Sequence, residues 1–392
     1  MKRILLLLFL AILFLPIDLN SAEPPKEPIL RIETGMHTAA IRHIGVDRAN
    51  RWLVTASDDK TVRLWELATG HLVRVIRPPV GEGKEGQILA VAITPDGRQI
   101  ACGGWTQYEG GTSQAIDYTV YLFDANTGRM TGRIKGLPNV ILHLAYSPDG
   151  RLVALCLGGG GVHVHRTGDL GLVGEDKDYG GRSQAAAFGP DGRLVTSSHD
   201  GYLRLYSRDF RLIAKEKAKG GSVPDSVSFS PDGGKIAVGF YDSVQIEVLS
   251  GHNLYSLYSP DVTGLANGGL SQVSWSANGR DLYAGGSYYD DSQGSPIVRW
   301  ADAGRGKRSI LTGALNTIMD IRPLQDGGIV YGAADPAIGV YDGKSHRKVF
   351  LAPAINDLRG NAEMGNFSVF HPTAHASSSS MNYRENSPPA SP

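Results

Sequence analysis

The sequence is poor in the features that announce chemistry. Two cysteines, Cys102 and Cys156, in 392 residues exclude a disulfide scaffold, so buried apolar surface must supply the stability. In an oxidising compartment the two can pair, but both fall in apolar stretches and read as small buried hydrophobes. Charge of neither sign is in excess, with 39 basic and 39 acidic residues, and no basic stripe marks a nucleic-acid binder. No long amphipathic helix is evident. No Gly-x-Ser-x-Gly elbow occurs, and Ser183 lacks both a glycine frame and a His/Asp arrangement around it. "GGWTQYEGG" reads as a loop, not a dinucleotide fingerprint.

One long apolar run exists, Ile4 to Ile17, behind Lys2 and Arg3 and ahead of small polar residues ending at Ala22. It is short beside the ~20 residues that span a bilayer. Residues 1–22 read as a secretory signal, the alternative being an uncleaved anchor, since Asn20 is a poor fit to the small residue expected before the cleavage site. A mature chain from Glu23, secreted or periplasmic and without stable membrane insertion, is expected.

What is abundant is glycine, 50 residues, set among β-branched strands. A turn phrase recurs as "TPDGR", "SPDGR", "GPDGR", "SPDGG", "SANGR" and "LQDGG", with "DRANRW" as a first copy. The turn residues Asn50, Gly97, Gly150, Gly192, Gly233, Gly279 and Gly327 are spaced by 47, 53, 42, 41, 46 and 48 residues. A period in the forties means a repeat architecture. Around each turn four strands a, b, c and d are legible, with polarity rising toward d, as in a blade whose inner strands are buried. The expectation is an all-β, seven-bladed β-propeller of four-stranded antiparallel blades over residues 23–352.

"SDDKTVRLWELATG", residues 57–70, resembles a WD repeat, and the likeness extends over residues 29–352. The resemblance implies a blade-stapling hydrogen-bond set of His37, Ser57, Asp59 and Trp65. Later blades depart from it, with Phe123, His165, Tyr206 and Tyr341 in the tryptophan slot and Asp200 retained in blade 4. It also implies that one chain end completes the last blade, so Ile29–Thr34 is expected to pair with residues 337–342. Exported bacterial chains of this type are often joined to a signalling or caspase-like peptidase domain; none is visible here.

"CLGGGGVHVHR", residues 156–166, mimics a phosphate loop or a two-histidine metal site. A strand follows the glycines, where a phosphate loop needs a helix. His163 and His165 align with packing positions of other blades, and a metal would need a third ligand, for which His143 is conceivable. Packing is the expected role, and no metal or cofactor is called for.

The long insertions, 77–87, 105–118, 259–269 and 287–296, all fall in b–c and d–a connections, on one side of the disc. Trp105, Tyr108, Tyr118, Tyr288 and Tyr289 are candidate anchors for a protein or peptide partner, unless they pack the loops down. Asp290 and Asp291 can face a basic group or, on weaker grounds, calcium. The expected function is a non-catalytic binding scaffold. The alternative is a small-molecule or carbohydrate-processing enzyme with its site at the central mouth. Residues 353–370 look like the opening of a further blade, and 371–392 like a disordered Ser/Pro-rich tail, either a chain cut short or a natural flexible end.

Overall fold

The computed structural model describes residues 35–81, 83–106 and 117–353. Residues 1–22, expected to be a secretory signal, as well as Ile29–Thr34, Tyr108 and residues from 354 onward lie outside the described residues.

The recurring turn does what its composition demands. Its key residue is left-handed in all seven copies, from Asn50 at φ 53° to Gly192 at φ 89°, a conformation glycine and asparagine adopt at least cost. Each turn joins strands a and b, and each blade is one antiparallel sheet in the order a-b-c-d. Blade 1 comprises Ile41–Val46, Trp52–Ser57, Val62–Glu66 and His71–Ile76; blade 7 comprises Ile318–Pro323, Ile329–Ala333, Ile338–Tyr341 and Arg347–Leu351. The inner strands between them are Ile88–Ile93, Ile141–Tyr146, Ser183–Phe188, Pro224–Phe229 and Gln272–Trp275. Among the described residues the only helical segment is a 3-10 turn, Asp302–Gly304.

Burial follows the polarity gradient. In blade 3, strand b, Leu152–Leu157, is almost wholly buried, whereas strand d, Leu172–Asp176, is largely exposed. Seven apolar clusters lie one between each pair of neighbouring blades, including Ile41, Ile44 and Trp65 of blade 1 against Val330, Ile338 and Val340 of blade 7. Each large apolar side chain so buried stabilises by about 1.5–3 kcal/mol. No blade covers its own faces; the ring does.

Closure departs from the expectation. Strand c of blade 7 pairs with Arg347–Leu351, with Ile338 opposite Leu351 and Val340 opposite Val349. The seat expected for Ile29–Thr34 is therefore filled by the chain's next strand. A hairpin of a few residues closes at far less entropic cost than a pairing across some three hundred residues. The seam between blades 1 and 7 is held by side chains: Asp320 accepts the Ile44 N–H at 3.0 Å, Arg322 Nε donates to Ile44 O at 3.2 Å, and Asn50 accepts the Gln325 N–H at 2.6 Å.

The inner strand carries a β-bulge at its start in six blades, for instance between Ile41 and His43 and between Ser183 and Ala185. A bulge turns one side chain out of the ladder. Here Arg42, Leu142, Gln184 and Met319 line the central channel near the b–c and d–a loops.

Candidate functional site

The stapling set forms in blade 1, with one member changed. Trp65 Nε1–H donates to Thr55 Oγ1 at 3.0 Å, and Thr55 Oγ1 lies 2.7 Å from His37 Nε2. His37 Nδ1 lies 2.8 Å from Asp59 Oδ2, which also accepts the Thr38 N–H. The partners fix the imidazole as a donor at Nδ1 and an acceptor at Nε2. Burial pushes the Asp59 carboxyl up, but hydrogen bonds from His37, Thr61 and Thr38 outweigh it and hold it at about 2. Ser57, expected in this relay, binds Ala39 O and the Asp59 N–H instead. The hydroxyl that links the rings is Thr55, two residues earlier on the same face of strand b. Thr55→Val removes it at constant shape and strands two buried ring nitrogens. We expect a loss of about 2–4 kcal/mol, against a smaller loss for Ser57→Ala, read as melting temperatures of the two variants. The reverse order would return the linking role to Ser57.

Blade 4 rebuilds the relay with other chemistry. Thr196 and Tyr206 occupy the Thr55 and Trp65 positions, opposite Arg204 and Leu194 in the ladder. Tyr179 stands four residues before strand a, as His37 does in blade 1. Its hydroxyl lies 2.7 Å from Thr196 Oγ1 and 2.9 Å from the Tyr206 hydroxyl, which donates to Asp176 at 2.7 Å. The Arg204 guanidinium carbon lies over the Tyr179 ring, 3.8 Å from its centroid, and Arg204 donates to Asp200 Oδ2 at 2.7 Å. Blades 6 and 7 bond the aromatic to backbone instead, Trp300 Nε1–H to Asp261 O and the Tyr341 hydroxyl to Thr312 O.

The histidine-rich stretch is packing. Gly160 and Gly161 are left-handed, and a Cβ on Gly161 would meet Asp176 O at 1.9 Å, so the turn needs them. His165 Nδ1 is 3.0 Å from Leu170 O, and burial lowers the pKa of both His163 and His165. His163 shares its register with Leu155, but His143 with Cys156, so His143 projects from the opposite face. Ser183 is buried, with its hydroxyl spent on backbone of blade 3. Cys102 and Cys156 are unpaired and buried.

His143 instead meets His43 edge-on in the central channel, at 4.4 Å between centroids. The channel encloses about 1060 Å3. His43 Nδ1–H donates to Val91 O, and Arg322 donates to its Nε2 at 3.0 Å. Burial, then the charge of Arg322, lower the His43 pKa to about 3, so it is neutral near pH 7. Asp320, 3.4 Å from His43, is committed to Ile44 and Arg322. Three titratable groups converge here; the hydrogen bonds of His43 and Asp320 with Arg322 and Ile44 hold the seam, while His143 Nδ1 is buried without a hydrogen-bond partner.

The b–c and d–a face differs from the expected one in its anchors. Tyr118 and Tyr288 are only 5% and 7% exposed and pack into the cores of blades 2 and 6, so burial removes both as contacts for a partner. Trp105 is half-buried against Tyr118, with Lys84 over its ring at 5.7 Å. Tyr289 is 46% exposed. Asp290 caps its own turn through the Ser292 N–H and hydroxyl, and Asp291 is exposed beside it. Among the described residues the two most open large apolar or aromatic side chains on this face lie outside the long insertions, Tyr241 and Leu315, each 63% exposed. Tyr241 borders the channel and adjoins Gly269, whose carbonyl holds the Tyr288 N–H.

The pattern described as "WD domain, G-beta repeat" matches residues 30–66 and 183–207. These segments fall in blades 1 and 4, the two that keep the hydroxyl–aromatic–aspartate network. Among curated proteins, "Coronin-7" of Mus musculus is 28% identical over 196 residues, 47% of this chain and 20% of that protein. "Coronin-7" of Homo sapiens is 26% identical over 208 residues, 52% and 21% of the two chains. "WD repeat-containing protein SL1-17" of Schistosoma mansoni is 26% identical over 179 residues, 45% and 54% of the two chains. The match to mouse and rat Coronin-7 thus covers 20% and 24% of their lengths.

Proposed function

We propose that this seven-bladed WD-repeat propeller is an exported, non-catalytic scaffold that docks a protein or peptide partner on its b–c/d–a face. The carrying observation is the exposure of Tyr241, Tyr289 and Leu315 on the loops of blades 5, 6 and 7, with Tyr241 bordering the central channel. Exposed tyrosine on a rigid scaffold supplies large contact area at little entropic cost. Export is supported by the apolar run behind Lys2 and Arg3. Resemblance to exported bacterial chains with a signalling or peptidase domain supports reading the propeller as a docking module.

A second reading, a small-molecule enzyme at the central mouth, rests on the convergence of His43, His143 and Asp320. It is the weaker one, because His43 and Asp320 are already engaged by backbone and by Arg322. The docking reading predicts that Tyr241→Ala/Tyr289→Ala lowers partner affinity by about 2 kcal/mol or more, roughly 30-fold, at unchanged melting temperature. Affinity capture with the wild-type and variant chains side by side checks it. A partner retained equally by both would remove the proposed face.

A further inference from the structure

Most cations along the central channel are spoken for. Arg42 pairs with Asp58, Arg48 donates to Pro148 O at 2.6 Å, and Arg322 bridges Ile44, Asp320 and His43. Arg182 differs. It lines the same channel, it is exposed, and its guanidinium has no hydrogen-bond or ion-pair partner among the described residues. Its backbone is fixed all the same: its carbonyl accepts the His199 N–H at 3.0 Å, tying the loop before strand a of blade 4 to that blade's b–c turn.

The surroundings of Arg182 are incomplete in the same sense. Gln184 Oε1 and His199 Nε2 are buried and lack hydrogen-bond partners. Asp225 stands 3.6 Å from His199 Nε2, beyond hydrogen-bond reach. Its other oxygen accepts from Gln272 Nε2 at 3.0 Å, and among the described residues no ion pair joins it to Arg182. An unpaired guanidinium and a buried ring nitrogen without a partner, on residues whose backbones are bonded to each other, mark a place that an incoming acceptor completes. Tyr241 borders the same channel and presents an open ring, and its N–H is held by Val223 O in the loop between blades 4 and 5.

We infer that the channel mouth beside blade 4 seats a carboxylate, an Asp or Glu side chain on an extended segment of the docked partner, with Arg182 as its fork and Tyr241 as its wall. A planar guanidinium matches a carboxylate through two parallel hydrogen bonds, and the pairing specifies charge and orientation together. A channel of about 1060 Å3 is of a size for a side chain and a stretch of strand, not for a folded domain. The inference rests on the docking reading and names the chemistry that face selects.

The test uses a displayed library of random heptapeptides selected on the full chain, followed by fluorescence anisotropy of one selected peptide and its Asp→Asn or Glu→Gln counterpart. The expected result is one strongly acidic position among the selected peptides. Arg182→Gln should weaken the acidic peptide roughly 10- to 100-fold and leave its amide counterpart unchanged. Because Arg182 is exposed, the variant should melt with the wild type. Peptides selected without an acidic position, or bound equally by Arg182→Gln, overturn the carboxylate seat. If Tyr241→Ala abolishes that binding all the same, the docking face stands without it. If the wild-type chain selects no peptide, both readings fall.

Discussion

Asp320→Ala is expected to unfold the ring at its seam, with a loss of about 3–5 kcal/mol. Asp320 is 4% exposed and accepts from two elements at once: the Ile44 N–H of blade 1 at 3.0 Å and the Arg322 guanidinium of its own strand at 3.1 Å. Removing it leaves a buried N–H without an acceptor and a half-buried cation without its counter-charge. Among the described residues no strand ladder crosses the junction: strand c of blade 7 pairs with Arg347–Leu351, and the apolar cluster there is shared between first and last blades. Asp320→Asn keeps an acceptor for Ile44 and should lose markedly less. Calorimetry on the three chains measures this. Equal melting temperatures for wild type and Asp320→Ala would show that apolar packing alone holds the seam.

A loss of similar size, about 3–5 kcal/mol, is expected for Arg204→Met. Arg204 is fully buried, stacked on Tyr179 at 3.8 Å and bound to Asp200 at 2.7 Å and to Asp178 O. The methionine fills much of the volume, so the loss reports the stranded Asp200 carboxylate and the lost stacking, not a cavity. Arg204→Lys should rescue only part of it, since an ammonium cannot lie flat on the ring while reaching both oxygens. A double-mutant cycle with Tyr179→Leu separates the stacking from the ion pair. Additive losses in that cycle would mean that ring and guanidinium are independent, contrary to the relay described for blade 4.

The repeat was legible because its turn is local chemistry. A left-handed residue at the close of the turn phrase can be read from a few positions, and all seven such residues adopt positive φ. Strand order followed from alternation, and blade 1 showed its stapling residues through His37, Asp59 and Trp65. The identity of the linking hydroxyl did not follow, because Thr55 and Ser57 share a face of strand b and only the depth of each decides which meets Trp65. Depth also defeated the tyrosines. Tyr118 and Tyr288 lie at the ends of long insertions, which suggested exposure, yet each folds back into a core. Tyr241 stands in a short b–c turn that insertion length gave no reason to single out. Closure was misjudged for a related reason: the segment expected in the last seat, 29–34, lies some three hundred residues from its partner, and sequence pattern carries no loop entropy.

Arg182 illustrates the other limit. In "GGRSQ" it is one arginine among many. Its interest comes from what surrounds it, a set of cations already paired and two buried atoms that are not.

The most direct test of the docking account is photo-cross-linking from each face of the disc in the native cell. The chain would carry p-benzoylphenylalanine in place of Tyr241, on the b–c/d–a face, and separately in place of Tyr255, 65% exposed in a c–d turn on the other face. The account predicts a discrete adduct from position 241 and none from 255. An adduct confined to position 255, or the same adduct from both, would contradict it.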